Sequence, residues 1–163
     1  FKSKNRKVSY DTLSNYLGYI EEAFLAYKTE RYNIKGKDVV AGNCKYYLND
    51  LSFKNFLYPG FAYGVGYLLE NAVYLELRRL GYIVYTGSFR DKEVDFVAMK
   101  DDRVIYLQAT YMLETAQTME REYAPLLTIG DNYEKYVVSM DEVQFPSNEG
   151  VRHIQAWNLK EIL

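Results

Sequence analysis

Between residues 65 and 80, apolar side chains recur at helical spacing: Val65, Leu68, Leu69, Ala72, Val73 and Leu80. Gly81 follows where a helix-ending glycine belongs, so the pattern predicts one helix. Three β-rich runs come next, 82–86, 94–99 and 104–109, joined by polar turns at 87–92 and 100–103. Residues 114–127 predict a second helix, with Pro125 confined to its last turn. Residues 135–140 have the composition of a buried strand, 141–150 of a loop, and 151–156 of a short strand, with a helix or tail at 159–163. Ahead of this block, Ser9 caps a predicted helix whose inward face is Leu13, Tyr16, Leu17, Ile20 and Phe24. A strand at 24–32, a turn at 33–38 around Gly36 and extended pieces at 39–40 and 45–48 complete the amino-terminal part. Tyr58-Pro59-Gly60 marks the boundary, giving regions 1–58 and 59–163. The first has the helix and hairpin of a partial winged helix; the second has the order α-β-β-β-α-β.

Polar residues interrupt this pattern at informative places. Glu70 flanks the apolar stripe of its helix, Asp95 breaks the second strand, and Gln108 ends the third, two residues before Thr110. A helix Glu, a strand Asp and a strand Glu/Gln-x-Lys are the parts of the PD-(D/E)xK nuclease site, and the chain resembles that arrangement. The implied fold class is α/β, restriction-endonuclease-like, with Glu70, Asp95, Gln108 and Thr110 converging on one face of the sheet. An active site of this type uses carboxylates to hold a divalent metal and a lysine to neutralise developing charge. Here Gln108 offers only a neutral oxygen and Thr110 no charge. The expectation is a degenerate site with no catalytic residue and no cofactor. Its alternative is an Mg²⁺-dependent nuclease with a relocated lysine, Lys92 and Lys100 being nearest in sequence.

Composition adds a polarity to the chain. Hydrophobic residues make up 48% and charged residues 26%, the balance of a globular protein. No apolar run reaches the ~20 residues of a membrane-spanning helix. The single cysteine, Cys44, excludes an internal disulfide and points to the cytoplasm. Opening on Phe1 leads us to expect a longer parent chain. The net charge is −2, but up to Lys54 there are ten Lys/Arg against six Asp/Glu, and from Asn55 onward ten against sixteen. The basic end suggests DNA, with Lys2, Lys4, Arg6 and Lys7 for phosphates and Thr12 and Asn15 for bases. Asp11 and Glu22 on the same helix oppose that use.

Other candidates carry less. Glu76 falls inside the apolar stripe and needs a partner there, and Glu93 points to the same side of its strand as Asp95. A lone histidine, His153, far from Cys44, is a poor start for a zinc site. Gly64-x-Gly66 lacks the third glycine of a dinucleotide fingerprint, and no phosphate-binding loop of the Walker type occurs.

Several stretches together resemble one family: Tyr10-Asp-Thr-Leu-Ser-Asn-Tyr-Leu17, Lys45-Tyr-Tyr-Leu-Asn-Asp50, Gly66-Tyr-Leu-Leu-Glu-Asn71, Glu93-Val-Asp-Phe96, Tyr106-Leu-Gln-Ala-Thr110 and Thr118-x-x-Arg121-Glu122. They are similar to the carboxyl-terminal region of prokaryotic AAA-type ATPases that carry a domain of unknown function after a winged helix. The resemblance implies an upstream ATPase module and a Gln-x-Thr trait in place of Glu-x-Lys. The function expected from it is non-catalytic recognition or regulation through DNA or a partner protein, away from membranes, with oligomerisation left open.

Overall fold

The computed structural model of the chain describes residues 8–57, 59–60 and 64–163. Lys2, Lys4, Arg6, Lys7 and Tyr58 lie outside them. The described elements are α1 (Tyr10–Glu22), β1 (Ala26–Asn33), β2 (Asp38–Leu48), α2 (Ser52–Leu57), α3 (Val65–Arg79), β3 (Ile83–Phe89), β4 (Lys92–Lys100), β5 (Arg103–Ala109), α4 (Ala116–Leu127), β6 (Glu134–Ser139) and β7 (Val151–Gln155), followed by a 3-10 helix, Ala156–Glu161. Among the described residues seven strands form one mixed sheet in the order β2-β1-β3-β4-β5-β6-β7. β3, β4 and β5 make the expected antiparallel meander, and β6 and β7 follow β5 in parallel.

Two apolar cores lie on opposite faces of this sheet. Under α3, Leu69, Val73, Tyr74 and Leu77 pack on Phe96, Ala98, Ile105 and Leu107. Under α4, Tyr123 and Leu126 pack on Val94, Val97, Tyr106 and Val137. Strand residues therefore alternate between cores, as a sheet buried on both sides requires. The caps follow sequence logic: Ser9 accepts the Thr12 N–H, Thr115 accepts the Thr118 N–H, and Gly81 turns the chain out of α3 at φ 87°. Pro125 sits in the last turn of α4, where the helix it interrupts has only two residues left to run.

The amino-terminal region departs from expectation in three ways. First, its hairpin extends the same sheet, because β1 pairs in parallel with β3 through Arg31↔Thr86, Tyr32↔Gly87 and Asn33↔Ser88. Residues on both sides of the 58/59 boundary thus share one set of backbone hydrogen bonds. Second, the pieces at 39–40 and 45–48 are one strand. Between the pairs Arg31↔Val40 and Thr29↔Lys45, β1 advances two residues while β2 advances five, so 41–44 stand outside the ladder. Third, α1 buries none of its residues. The face expected to point inward leaves Leu13, Tyr16, Ile20 and Phe24 exposed, because α1 lies beside the sheet's β1–β2 end and not over either core.

Candidate functional site

One irregularity in the sheet seats Asp95. Between the pairs Tyr85↔Val97 and Gly87↔Val94, β3 advances two residues and β4 three. The extra residue is a bulge, which resets the side-chain alternation. Val94 and Val97 both face α4, while Phe96 and Ala98 face α3. Asp95 is free to turn to the α3 side beside Phe96. Gly87 makes room opposite: a Cβ there would meet Val97 Cγ2 at 2.8 Å, and Val94 Cβ and Ile34 Cδ1 at 3.0 Å. The β4–β5 ladder stops at Phe96↔Leu107, and beyond it side chains take over. The Asp95 N–H donates to Gln108 Oε1 at 3.3 Å, and the Ala109 N–H donates to Asp95 Oδ2 at 3.0 Å.

Into this parted end of the sheet β2 delivers a lysine. Lys45 Nζ lies 2.9 Å from Glu70 Oε1, 3.0 Å from Glu93 Oε1 and 3.4 Å from Asp95 Oδ1. The Tyr47 hydroxyl donates to the same Glu70 oxygen at 2.7 Å, and Arg31 holds the other oxygen of Glu93 at 2.7 Å. Tyr47 is fixed by stacking on Tyr74, with centroids 4.2 Å apart. The Asn71 side chain bonds both the N–H and the C=O of Leu48, clamping β2 to α3. Each element thus carries one functional side chain and one anchor.

Electrostatics show an acid in surplus. Burial pushes the Asp95 carboxyl up to about 7, and the Glu70 charge adds to it; Lys45 and the Ala109 N–H oppose, and Glu122 on α4 pushes further upward. For Lys45, burial works against the ammonium, but Asp95 and Glu70 outweigh it and raise its pKa. Burial, then the Glu70 charge, raises that of Tyr47.

Of the residues singled out in the sequence, Glu70 and Asp95 meet through Lys45. Gln108 reaches Asp95 only at its backbone, and along β5 it is in phase with Val104 and Tyr106 on the α4 side. Thr110 is buried just past β5 with its N–H on the Val138 carbonyl. A single face therefore holds for Glu70 and Asp95, while Gln108 and Thr110 follow the other phase of β5. Lys92 and Lys100 are engaged elsewhere, on the Ala124 and Leu80 carbonyls. Glu76 pairs with Arg79 within its own helix. His153 belongs to a buried group with Ser139 and Asp141. Thr12 and Asn15 are exposed on α1. The stretches Lys45–Asp50 and Thr118–Glu122 count toward the family resemblance, but Lys45, Tyr47 and Glu122 were not assigned to the site from sequence. The resemblance and the shared phase of Lys45 and Tyr47 are the signals that could have found the first two.

A hard ion such as Mg²⁺ takes about six oxygens near 2.0–2.1 Å. The donors here do not fit it as they stand: Glu70 and Asp95 each spend an oxygen on Lys45, and the second Asp95 oxygen takes the Ala109 N–H. No group of three His, Cys, Asp or Glu among the described residues is arranged to hold a metal.

Comparison with known proteins gives relatives but no chemistry. Over 137 residues the chain is 36% identical to an uncharacterized protein of Haemophilus influenzae, an alignment covering 84% of this chain and 34% of that protein. Over 125 residues it is 32% identical to an uncharacterized protein of Methanocaldococcus jannaschii, covering 74% of this chain and 27% of the relative. The chain thus spans about a third or less of the length of these relatives. No protein-family model matches, and no solved structure does. Among the described residues, no helix is long and apolar enough to cross a membrane.

Proposed function

We propose that this chain is a restriction-endonuclease-like recognition region that binds nucleic acid without cleaving it, acting as the carboxyl-terminal part of a cytoplasmic AAA-type ATPase. The observation that carries this reading is the Lys45 ammonium, held by Glu70, Glu93 and Asp95 where a nuclease of that type gathers its metal. A tethered cation occupies one oxygen of each acid and leaves a divalent ion little to gain. Gln108 and Thr110 follow the other phase of β5, so the positions that would carry the remaining carboxylate and lysine do not join this cluster. The meander order, the bulge at Asp95 and one helix on each face support the fold assignment. The length of the relatives leaves room in them for a further module. Phosphate contacts fall to Lys2, Lys4, Arg6 and Lys7, beside exposed Thr12 and Asn15.

The test is an assay of single- and double-stranded DNA with Mg²⁺ or Mn²⁺, run beside a binding titration without metal. We expect no metal-dependent cleavage, and binding that weakens with salt. That slope should flatten when Lys4, Arg6 and Lys7 become Ala. Robust cleavage abolished by Asp95→Ala would overturn the reading. One alternative has an observation in its favour: the lysine absent at position 110 is supplied by β2, so Lys45 is the natural relocated lysine of a metal-dependent nuclease. Cleavage lost in both Asp95→Ala and Lys45→Ala would establish it.

A further inference from the structure

The Lys45 cluster does not end in solvent directly. It forms one wall of a cleft of about 560 Å³ between β2, α2 and the first turns of α3, where Lys54 and Tyr67 join Lys45, Glu70 and Glu93. Tyr67 presents its ring with 70% of the residue exposed, one turn before Glu70 on the same helix. Tyr46, between Lys45 and Tyr47 on β2, turns to the other face toward Glu21 of α1, so Tyr67 is the exposed ring at the cleft. A large exposed aromatic ring flanking a polar pocket is costly to leave in water and is suited to stacking. The volume sets the scale of the occupant, since ~300–1,000 Å³ holds one compact molecule. That is room for a nucleotide unit and far too little for a duplex.

Charge narrows the choice. Two carboxyl groups of the lining, Glu70 and Glu93, stand against two ammonium groups, Lys45 and Lys54. A cleft so balanced neither attracts nor repels a phosphodiester strongly, and binding there must come from contact with a flat ring system. We propose that the cleft receives an unpaired nucleotide of a single-stranded nucleic acid, its base stacked on Tyr67 and its phosphate directed toward Lys54. This rests on the nucleic-acid reading above and adds to it the strandedness and the seat. Stacking of a base on an aromatic side chain tolerates any sequence, so no base preference is expected.

Anisotropy of a fluorescein-labelled oligo-dT strand titrated with the 163-residue chain tests it, with a blunt-ended duplex as competitor. Tyr67→Ala should weaken single-strand binding roughly tenfold, while Tyr67→Phe, which keeps the ring, should bind as the wild type does. Because stacking is not ionic, that ratio should survive at high salt even as all affinities fall. Tyr67 is exposed, so its loss does not threaten folding. Binding indifferent to Tyr67→Ala, or a blunt-ended duplex competing as well as the single strand, overturns the cleft proposal and leaves the nucleic-acid reading standing. A wild-type chain that binds neither probe at low salt overturns both.

Discussion

Two buried polar clusters sit at opposite ends of the sheet order, and they differ in how their charges are settled. The Ser139–Asp141–His153 group is closed. His153 Nε2 and Ser139 Oγ are 2.8 Å apart, the Ser139 hydroxyl donates to Asp141 Oδ2 at 2.7 Å, and the Phe145 N–H donates to His153 Nδ1. The last bond makes Nδ1 an acceptor, so the ring is neutral and Nε2–H is the donor toward Ser139. Asp141 contacts Ser139 and the Leu113 N–H, and its position is the reverse of a catalytic triad, where the acid orients the histidine. With all three residues buried, nothing reaches this group from solvent. The Lys45 cluster is the opposite case. It brings three acids to one lysine, leaves Asp95 pushed toward the neutral form, and opens on a cleft. A satisfied, sealed network holds the fold, whereas charge in surplus beside an opening marks a place for a ligand.

Breaking the closed network should cost most. His153→Ala removes a side chain only 3% exposed, strands the Phe145 N–H and leaves a void beside the Phe145 ring. We expect a loss of about 3 kcal/mol, combining a cavity and an orphaned donor, read as a lower denaturant midpoint in urea. DNA binding in native buffer should be untouched. Lys45→Met should cost less, about 2 kcal/mol: breaking a buried pair costs ~3–5, but the Lys45 side chain is 30% exposed and its pairs are partly screened. Here a functional readout should move as well. With the tethered cation gone, Mn²⁺ should raise the melting temperature of Lys45→Met and leave the wild type unchanged. Equal Mn²⁺ shifts in both proteins would mean that the lysine does not hold the cation's place.

What was legible in the sequence tracks what is local. Helix caps at Ser9 and Gly81, the meander from 82 to 109 and the end of α4 at Leu127, shortly after Pro125, depend on neighbouring residues and were found from spacing. The site was legible only in part. Glu70 and Asp95 stand out because a charge interrupts an apolar pattern. Lys45 sits in a polar, irregular strand and acquires its role only through the register break at 41–44 and the pairing of β1 with β3, a contact between residues more than fifty apart. The separation of Gln108 from Asp95 was likewise beyond reach, since the bulge in β4 turns Asp95 to the α3 side while Gln108 keeps the regular alternation of β5. The exposed face of α1 misled for a related reason. An apolar stripe shows that a helix has a face to bury and says nothing about whether an element lies under it.

The smallest effect separates the two clusters most cleanly, because their pH dependences have opposite sign. In Asp95, burial and the Glu70 charge raise the carboxyl from 3.8 to about 7, with Glu122 adding and Lys45 subtracting. Between those values the folded chain keeps a proton that the unfolded chain has released. This contribution is fully present below the unfolded value and is lost as pH rises through about 7. In His153 burial lowers the pKa from 6.5, against the opposing pull of Asp141. The unfolded chain there takes up a proton that the folded ring refuses, so the contribution is present above 6.5 and lost as the pH falls. The two contributions share the window below 6.5 and oppose each other there, so the wild-type urea midpoint should change little from about pH 5 to 6.5 and decline slightly toward about pH 7. Asp95→Asn should unmask the His153 slope, a midpoint that falls as the pH drops below 6.5; His153→Gln should unmask the Asp95 slope, a midpoint that falls as the pH rises toward about 7, each by about 1 kcal/mol or less after screening. If Asp95→Asn leaves the profile unchanged, the surplus charge is not at Asp95, and the contrast between a sealed network and an unsettled one fails at its centre.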